Sequence, residues 1–138
     1  MTKVCNNCYS AYIYSSPTVA DLDNDGKLEV ILGTSLGFIY AIDHKGDVKP
    51  GWPVTMAEIQ GQVAVGDVND DGQLELVATD NRFNVVVFNW RGKEVWERRI
   101  SGFSAQVKVY HDELIHYYQV FLVYCVFPGI SHDVRMLY

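Results

Sequence analysis

The apolar residues of the chain fall into short clusters, β-branched and bounded by glycine, proline or small polar residues, which is the pattern of strands rather than helices. Four such clusters occupy residues 14–20, 28–34, 38–43 and 52–56, and four more occupy residues 61–66, 74–79, 84–89 and 95–100. Turn signals separate them: Ser35-Leu36-Gly37, then His44-Lys45-Gly46-Asp47 at one hairpin tip and Arg91-Gly92-Lys93 at another. The second set repeats the first, since Gly46 and Gly92 stand 46 residues apart. Four short antiparallel strands in a unit of about 40 to 45 residues is the signature of a β-propeller blade. The expected fold is all-β: about two four-stranded antiparallel blades of an incomplete β-propeller, the first over residues 12–56 and the second over residues 57–106.

Closed propellers have about four to eight blades, so two blades leave open sheet edges and an uncovered apolar face. The chain is therefore expected to be a fragment or truncated product, with missing blades or self-association covering those edges. Residues 1–11 carry no repeat signal and read as a leader. Residues 107–138 read as a divergent apolar tail. A third acidic loop is due near residue 113, and the chain instead has Tyr110-His111-Asp112-Glu113-Leu114-Ile115-His116. His111 and His116 fit neither a helical i, i+4 zinc pair nor a His-Glu-x-x-His motif and read as surface histidines. Residues 120–127 are an unbroken apolar run, too short to cross a bilayer. That run is either a buried strand or part of a tail foreign to the repeat, and the second is the favoured expectation.

Between the first two strands of each unit lies an acidic loop. Asp21-Leu22-Asp23-Asn24-Asp25-Gly26-Lys27-Leu28-Glu29 has acidic side chains at positions 1, 3, 5 and 9 and glycine at 6. Alternate residues of a curled backbone can aim oxygens at one centre, the glycine permits the turn, and hard oxygens select Ca²⁺. An EF-hand would need a bidentate Glu at position 12 and flanking helices. Here position 12 is Leu32 and the flanks are strands, so Glu29 closes the loop. A single acidic-glycine turn is commonly only a solvated hairpin. The pattern recurs, however, as Asp67-Val68-Asn69-Asp70-Asp71-Gly72-Gln73-Leu74-Glu75, in register and between the same strands. Two copies make metal loops the expectation. The ligands are Asp21, Asp23, Asp25, the Lys27 carbonyl and Glu29, then Asp67, Asn69, Asp71, the Gln73 carbonyl and Glu75. Four carboxylates against three rank the first loop as the tighter, with both in the range of roughly 10⁻⁴ to 10⁻³ M of extracellular modules.

Composition narrows the picture further. A chain of 138 residues that is 49% hydrophobic and 13% aromatic is a globular chain with a core. The two loops hold eight of the seventeen acids behind the net charge of −6, counting Asp70, which argues against a nucleic-acid partner. Cys5, Cys8 and Cys125 are an odd number, and Cys5-x-x-Cys8 lacks the other two ligands a structural zinc needs, so they read as ordinary thiols. The start, Met1-Thr2-Lys3-Val4-Cys5-Asn6-Asn7, lacks the apolar core of a signal peptide, and no run of eighteen apolar residues appears. Lys45-Gly46-Asp47 resembles an adhesion tripeptide, but its counterpart at Arg91-Gly92-Lys93 marks the position as a turn. His111-Asp112-Glu113-Leu114 resembles a retention signal and is internal.

The repeated loops and strands resemble the FG-GAP or integrin-alpha-like repeat, a VCBS-type calcium-binding propeller repeat. Ser15-Ser16-Pro17-Thr18-Val19, Gly33-Thr34-Ser35, Met56-Ala57-Glu58-Ile59-Gln60-Gly61 and Asn69-Asp70-Asp71-Gly72 further resemble a plant family associated with pollen-wall (exine) patterning. The resemblance covers roughly residues 12–106. It implies Ca²⁺ as the bound ion and an extracellular or membrane-anchored setting. It also implies a non-enzymatic binding or scaffold role toward protein or cell-wall polysaccharide ligands. Two alternatives remain. Tyr40, Trp52, Trp90 and Trp96 suit a sugar-binding propeller, and the hairpin tips at 41–46 and 87–92 look somewhat like the blades of quinone-dependent dehydrogenases. The chain offers no Ser-His-Asp or Cys-His constellation and no glycine-rich phosphate loop to support catalysis.

Overall fold

The computed structural model describes residues 10–100 together with the backbone of three further strands at 105–112, 117–124 and 133–136. Cys5, Cys8, Cys125 and His116 lie outside the described residues, as does most of the expected leader.

Blade one is a meander of β1 (Thr18–Ala20), β2 (Glu29–Gly33), β3 (Phe38–Ile42) and β4 (Val54–Thr55), all antiparallel in sequence order. Blade two repeats it with β5 (Ala64–Gly66), β6 (Glu75–Thr79), β7 (Asn84–Asn89) and β8 (Glu94–Arg99). The register repeats as well: Val30 lies opposite Ile42 in the first sheet, and Leu76 lies opposite Phe88 in the second. These are the two four-stranded sheets that the 46-residue repeat predicts, with no helix among the described residues.

Proline shortens two strands relative to their apolar clusters. Pro17 has no N–H to give to a ladder, and β1 begins only at Thr18. Upstream, Tyr12 instead exchanges hydrogen bonds with Ser35 in the β2–β3 turn. Pro53 limits β4 in the same way, to two residues.

The sheets pack face to face. Ile31, Ile39 and Ala41 from blade one meet Leu76, Ala78, Val86 and Phe88 from blade two in one buried cluster, which also takes in Leu22, Trp52, Ile59 and Val63. Trp52 lies edge-on to Phe88, with ring centroids 6.4 Å apart. Its indole N–H donates to the Trp90 carbonyl at 3.3 Å. Gly33 lets the blades close, since a Cβ there would stand 2.6 Å from Ile59 Cγ2.

Burial alternates along β2 and β3 but is continuous along β6. Blade two is thus covered on both faces, and Val77, Val85 and Val87 form a second buried cluster on the face away from blade one. Beside it runs β9 (Ala105–Asp112), which forms an antiparallel third sheet with β10 (Tyr117–Tyr124) and β11 (Asp133–Met136), its backbone lying close to β5 and β6. β10 takes in residues 120–124 of the apolar run. The rest of that run lies outside the described residues.

Candidate metal loops

Each loop is built by the same set of bonds from side chain to backbone. Asp21 Oδ1 accepts the Asp25 N–H at 3.0 Å and Oδ2 accepts the Gly26 N–H at 2.8 Å. Asp67 repeats this with the N–H groups of Asp71 and Gly72 at 3.2 and 2.7 Å. The Asp25 carboxylate accepts the Lys27 N–H, and the Asp71 carboxylate the Gln73 N–H, both at 2.8 Å. Glu29 reaches back to the Leu22 N–H at 2.8 Å, and Glu75 to the Val68 N–H at 3.0 Å. The curl needs left-handed backbone at positions 4 and 6. Asn24 and Asp70 have φ of 61° and 60°, and Gly26 and Gly72 both have φ of 82°. Asn and Asp tolerate this region, and glycine enters it without penalty.

The sequence-predicted ligands divide between those that converge and those that do not. Oxygens of Asp21, Asp23 and Glu29 all lie within 4.8 Å of one another, a group able to hold a metal ion. Asp25 stands outside it, with its second oxygen 3.8 Å from Lys27 Nζ. In the second loop Asn69 takes the place of Asp23. It accepts the Asp71 N–H and donates its amide to Asp71 Oδ2, both at 3.1 Å. Gln73 accepts from the Trp90 indole N–H at 2.8 Å. Asp67 and Glu75 are buried.

Sequence reasoning missed Lys49. Its ammonium lies 2.6 Å from Asp23 Oδ2 and 3.2 Å from Glu29 Oε1, and Glu29 is only 1% exposed. The bond from Lys49 holds the Asp23 carboxyl below the usual aspartate range, against the opposing effect of burial. Burial disfavours the charge on Lys49, but its bonds to Asp23 and Glu29 outweigh burial and raise its pKa. The second loop has the opposite balance. Burial pushes the Glu75 carboxyl up, the Val68 amide offsets this in part, and the charges of Asp71 and Asp67 push it further up.

One observation shows that the first loop suits a cation. Asp23 Oδ1 is buried and has no hydrogen-bond partner. A buried carboxylate oxygen left bare is costly, and a cation among Asp21, Asp23 and Glu29 would satisfy it.

Of the aromatics considered for sugar binding, Trp52 is in the core. Trp90 lies beneath Arg91, whose guanidinium carbon is 4.4 Å from the ring centroid. No helix among the described residues is long and apolar enough to cross a membrane.

Tandem four-stranded sheets packed face to face, each with a curled acidic loop between its first two strands, define propeller-type repeats. Consistent with that class, the model of the FG-GAP-like repeat matches residues 21–78, from the first loop through most of β6. No curated protein matches the chain.

Proposed function

We propose that this chain is a calcium-stabilised, non-catalytic binding module of the β-propeller type. The observation that carries the reading is the duplicated loop scaffold, in which Asp21 and Asp67, Asp25 and Asp71, and Glu29 and Glu75 make the same backbone bonds 46 residues apart. FG-GAP-like repeats commonly bind calcium, and the convergent carboxylates and bare Asp23 oxygen of the first loop support the same ion here. Asp21, Asp23 and Glu29 would hold it in the first loop, and Asp67, Asn69 and Glu75 in the second. When bound, the ion neutralises the clustered carboxylates and stiffens the loop. The chain's own residues pre-form the curl and anchor it to the blade through Glu29 and Glu75.

The module's ligands on this reading are protein or polysaccharide surfaces outside the cytoplasm. The Ser15-Ser16-Pro17-Thr18-Val19 and Met56-Ala57-Glu58-Ile59-Gln60-Gly61 strings link it to the pollen wall by sequence resemblance alone. Thermal unfolding of the full chain with calcium, with magnesium and with chelator tests the metal's part. A calcium-specific rise in melting temperature is expected, and equal melting in all three would overturn it.

A further inference from the structure

The two loops share one scaffold but not one electrostatic setting. Lys49 Nζ contacts Asp23 and Glu29, two of the three side chains whose oxygens converge in the first loop. The ammonium is delivered by the fold. Val48 bridges Ile42, the Lys49 N–H donates to the Ala41 carbonyl at 2.9 Å, and the Lys49 side chain is 13% exposed. At the corresponding place in the second repeat stands Val95, uncharged and half exposed, at the irregularity where the β7–β8 register shifts. Among the described residues no ion pair reaches Asp67, Asp71 or Glu75.

We propose that Lys49 is a tethered counter-ion of the first loop, so that calcium binds the first loop more weakly than the second, the reverse of the order that carboxylate number gives. The inference rests on reading both loops as calcium sites. A dication entering the first loop must displace the ammonium from Asp23 and Glu29 or share their oxygens with it, and a positive charge at contact distance repels it. Among the described residues, a dication entering the second loop meets no such competitor. The carboxylates of the first loop are therefore partly neutralised without metal, and the second loop answers first to calcium.

The test is a calcium titration of the full chain followed by the backbone amide signals of Gly26 and Gly72, which report the two loops separately. In the wild type, Gly72 should reach its midpoint at about tenfold lower calcium than Gly26. Lys49→Gln should lower the Gly26 midpoint about tenfold and leave Gly72 in place, while Lys49→Arg, which keeps the charge, should retain the wild-type order. A K49Q variant that is unfolded in chelator and folds on adding calcium supports the same assignment. A K49Q variant that stays unfolded at every calcium level gives Lys49 a structural role only and overturns the proposal, as does a folded K49Q with an unchanged Gly26 midpoint. If both amides move but Gly26 saturates first in the wild type, the inference fails and the calcium reading stands. If neither amide moves in the folded chain, both fail.

Discussion

The hairpin tip of the second blade at Arg91-Gly92 meets the Lys49–Trp52 turn of the first blade through glycines, which gives a direct test of how the blades dock. Gly51 and Gly46 both have φ of +90° in the first blade. Alanine at either position carries the left-handed strain of about 1 kcal/mol. Their surroundings differ. A Cβ on Gly46 meets nothing within 4 Å, whereas a Cβ on Gly51 would overlap the Arg91 backbone carbonyl in the second blade. Gly92 faces the same junction, where a Cβ would stand 2.5 Å from the Gly51 carbonyl. Gly51→Ala must therefore push the Lys49–Trp52 turn away from the Arg91-Gly92 tip. That strains the adjacent Trp52 indole bond to the Trp90 carbonyl, costing about 1 kcal/mol, and disturbs the Trp52–Phe88 packing, costing about 1 to 2 kcal/mol more. The expected loss is about 3 to 4 kcal/mol for G51A against about 1 kcal/mol for G46A. Urea unfolding of the full chain, followed by tryptophan fluorescence, measures both. Equal losses for the two variants would refute the docking of the Gly51 turn on the Arg91-Gly92 tip.

Asp80 is 4% exposed and accepts from the N–H groups of Arg82 and Asn84, the Asn84 side-chain amide and, from the β4–β5 connection, the Ala57 N–H. Asp80→Ala should cost about 2 to 4 kcal/mol in urea unfolding, and a loss within experimental error would show that these donors find other partners. Because the folded-state pKa of Glu75 is raised above 4.5, its ionisation opposes folding, with the penalty absent below the unfolded value and complete above the folded one. In chelator, the stability advantage of Glu75→Gln over wild type should grow as pH rises from about 4.5 toward neutrality, and an advantage independent of pH would count against a buried, uncompensated carboxylate. Asp43 behaves oppositely: the Asp47 N–H holds its pKa below 3.8, so its charged form contributes stability above the unfolded value that is lost as pH falls through the folded one. Asp43→Asn copies Asn89, which makes the same turn in blade two. The difference in melting temperature between wild type and D43N should shrink as pH falls below about 4, and a widening difference would contradict the assigned sign.

Local chemistry made most of the fold legible. β-branched clusters, glycine turns and a 46-residue offset locate all eight strands of the two blades, whereas Asp43 and Asn89, read as strand ends, prove to shape the turns that follow. Strand ends were less legible, because the proline positions decide where laddering can begin. The loop curl could be read from Asp21-x-Asp-x-Asp-Gly because its bonds are local, spanning two to seven residues. Lys49 could not be read this way. It lies 26 residues beyond Asp23 and reaches the loop only through the pairing of β2 with β3 and the backbone bond to Ala41. Counting carboxylates ranked the loops without that charge. The Asp80 bond to Ala57 escaped for the same reason, since it joins the β4–β5 connection to a turn 23 residues further on.

The proposed function stands on calcium bound in both acidic loops. Equilibrium dialysis of the folded full chain against radiolabelled calcium, beside Glu29→Gln and Glu75→Gln variants of equal foldedness, tests it most directly. Two ions should bind per wild-type chain at saturation and one per single variant. No binding by the folded wild type, or two ions retained by both variants, would contradict it.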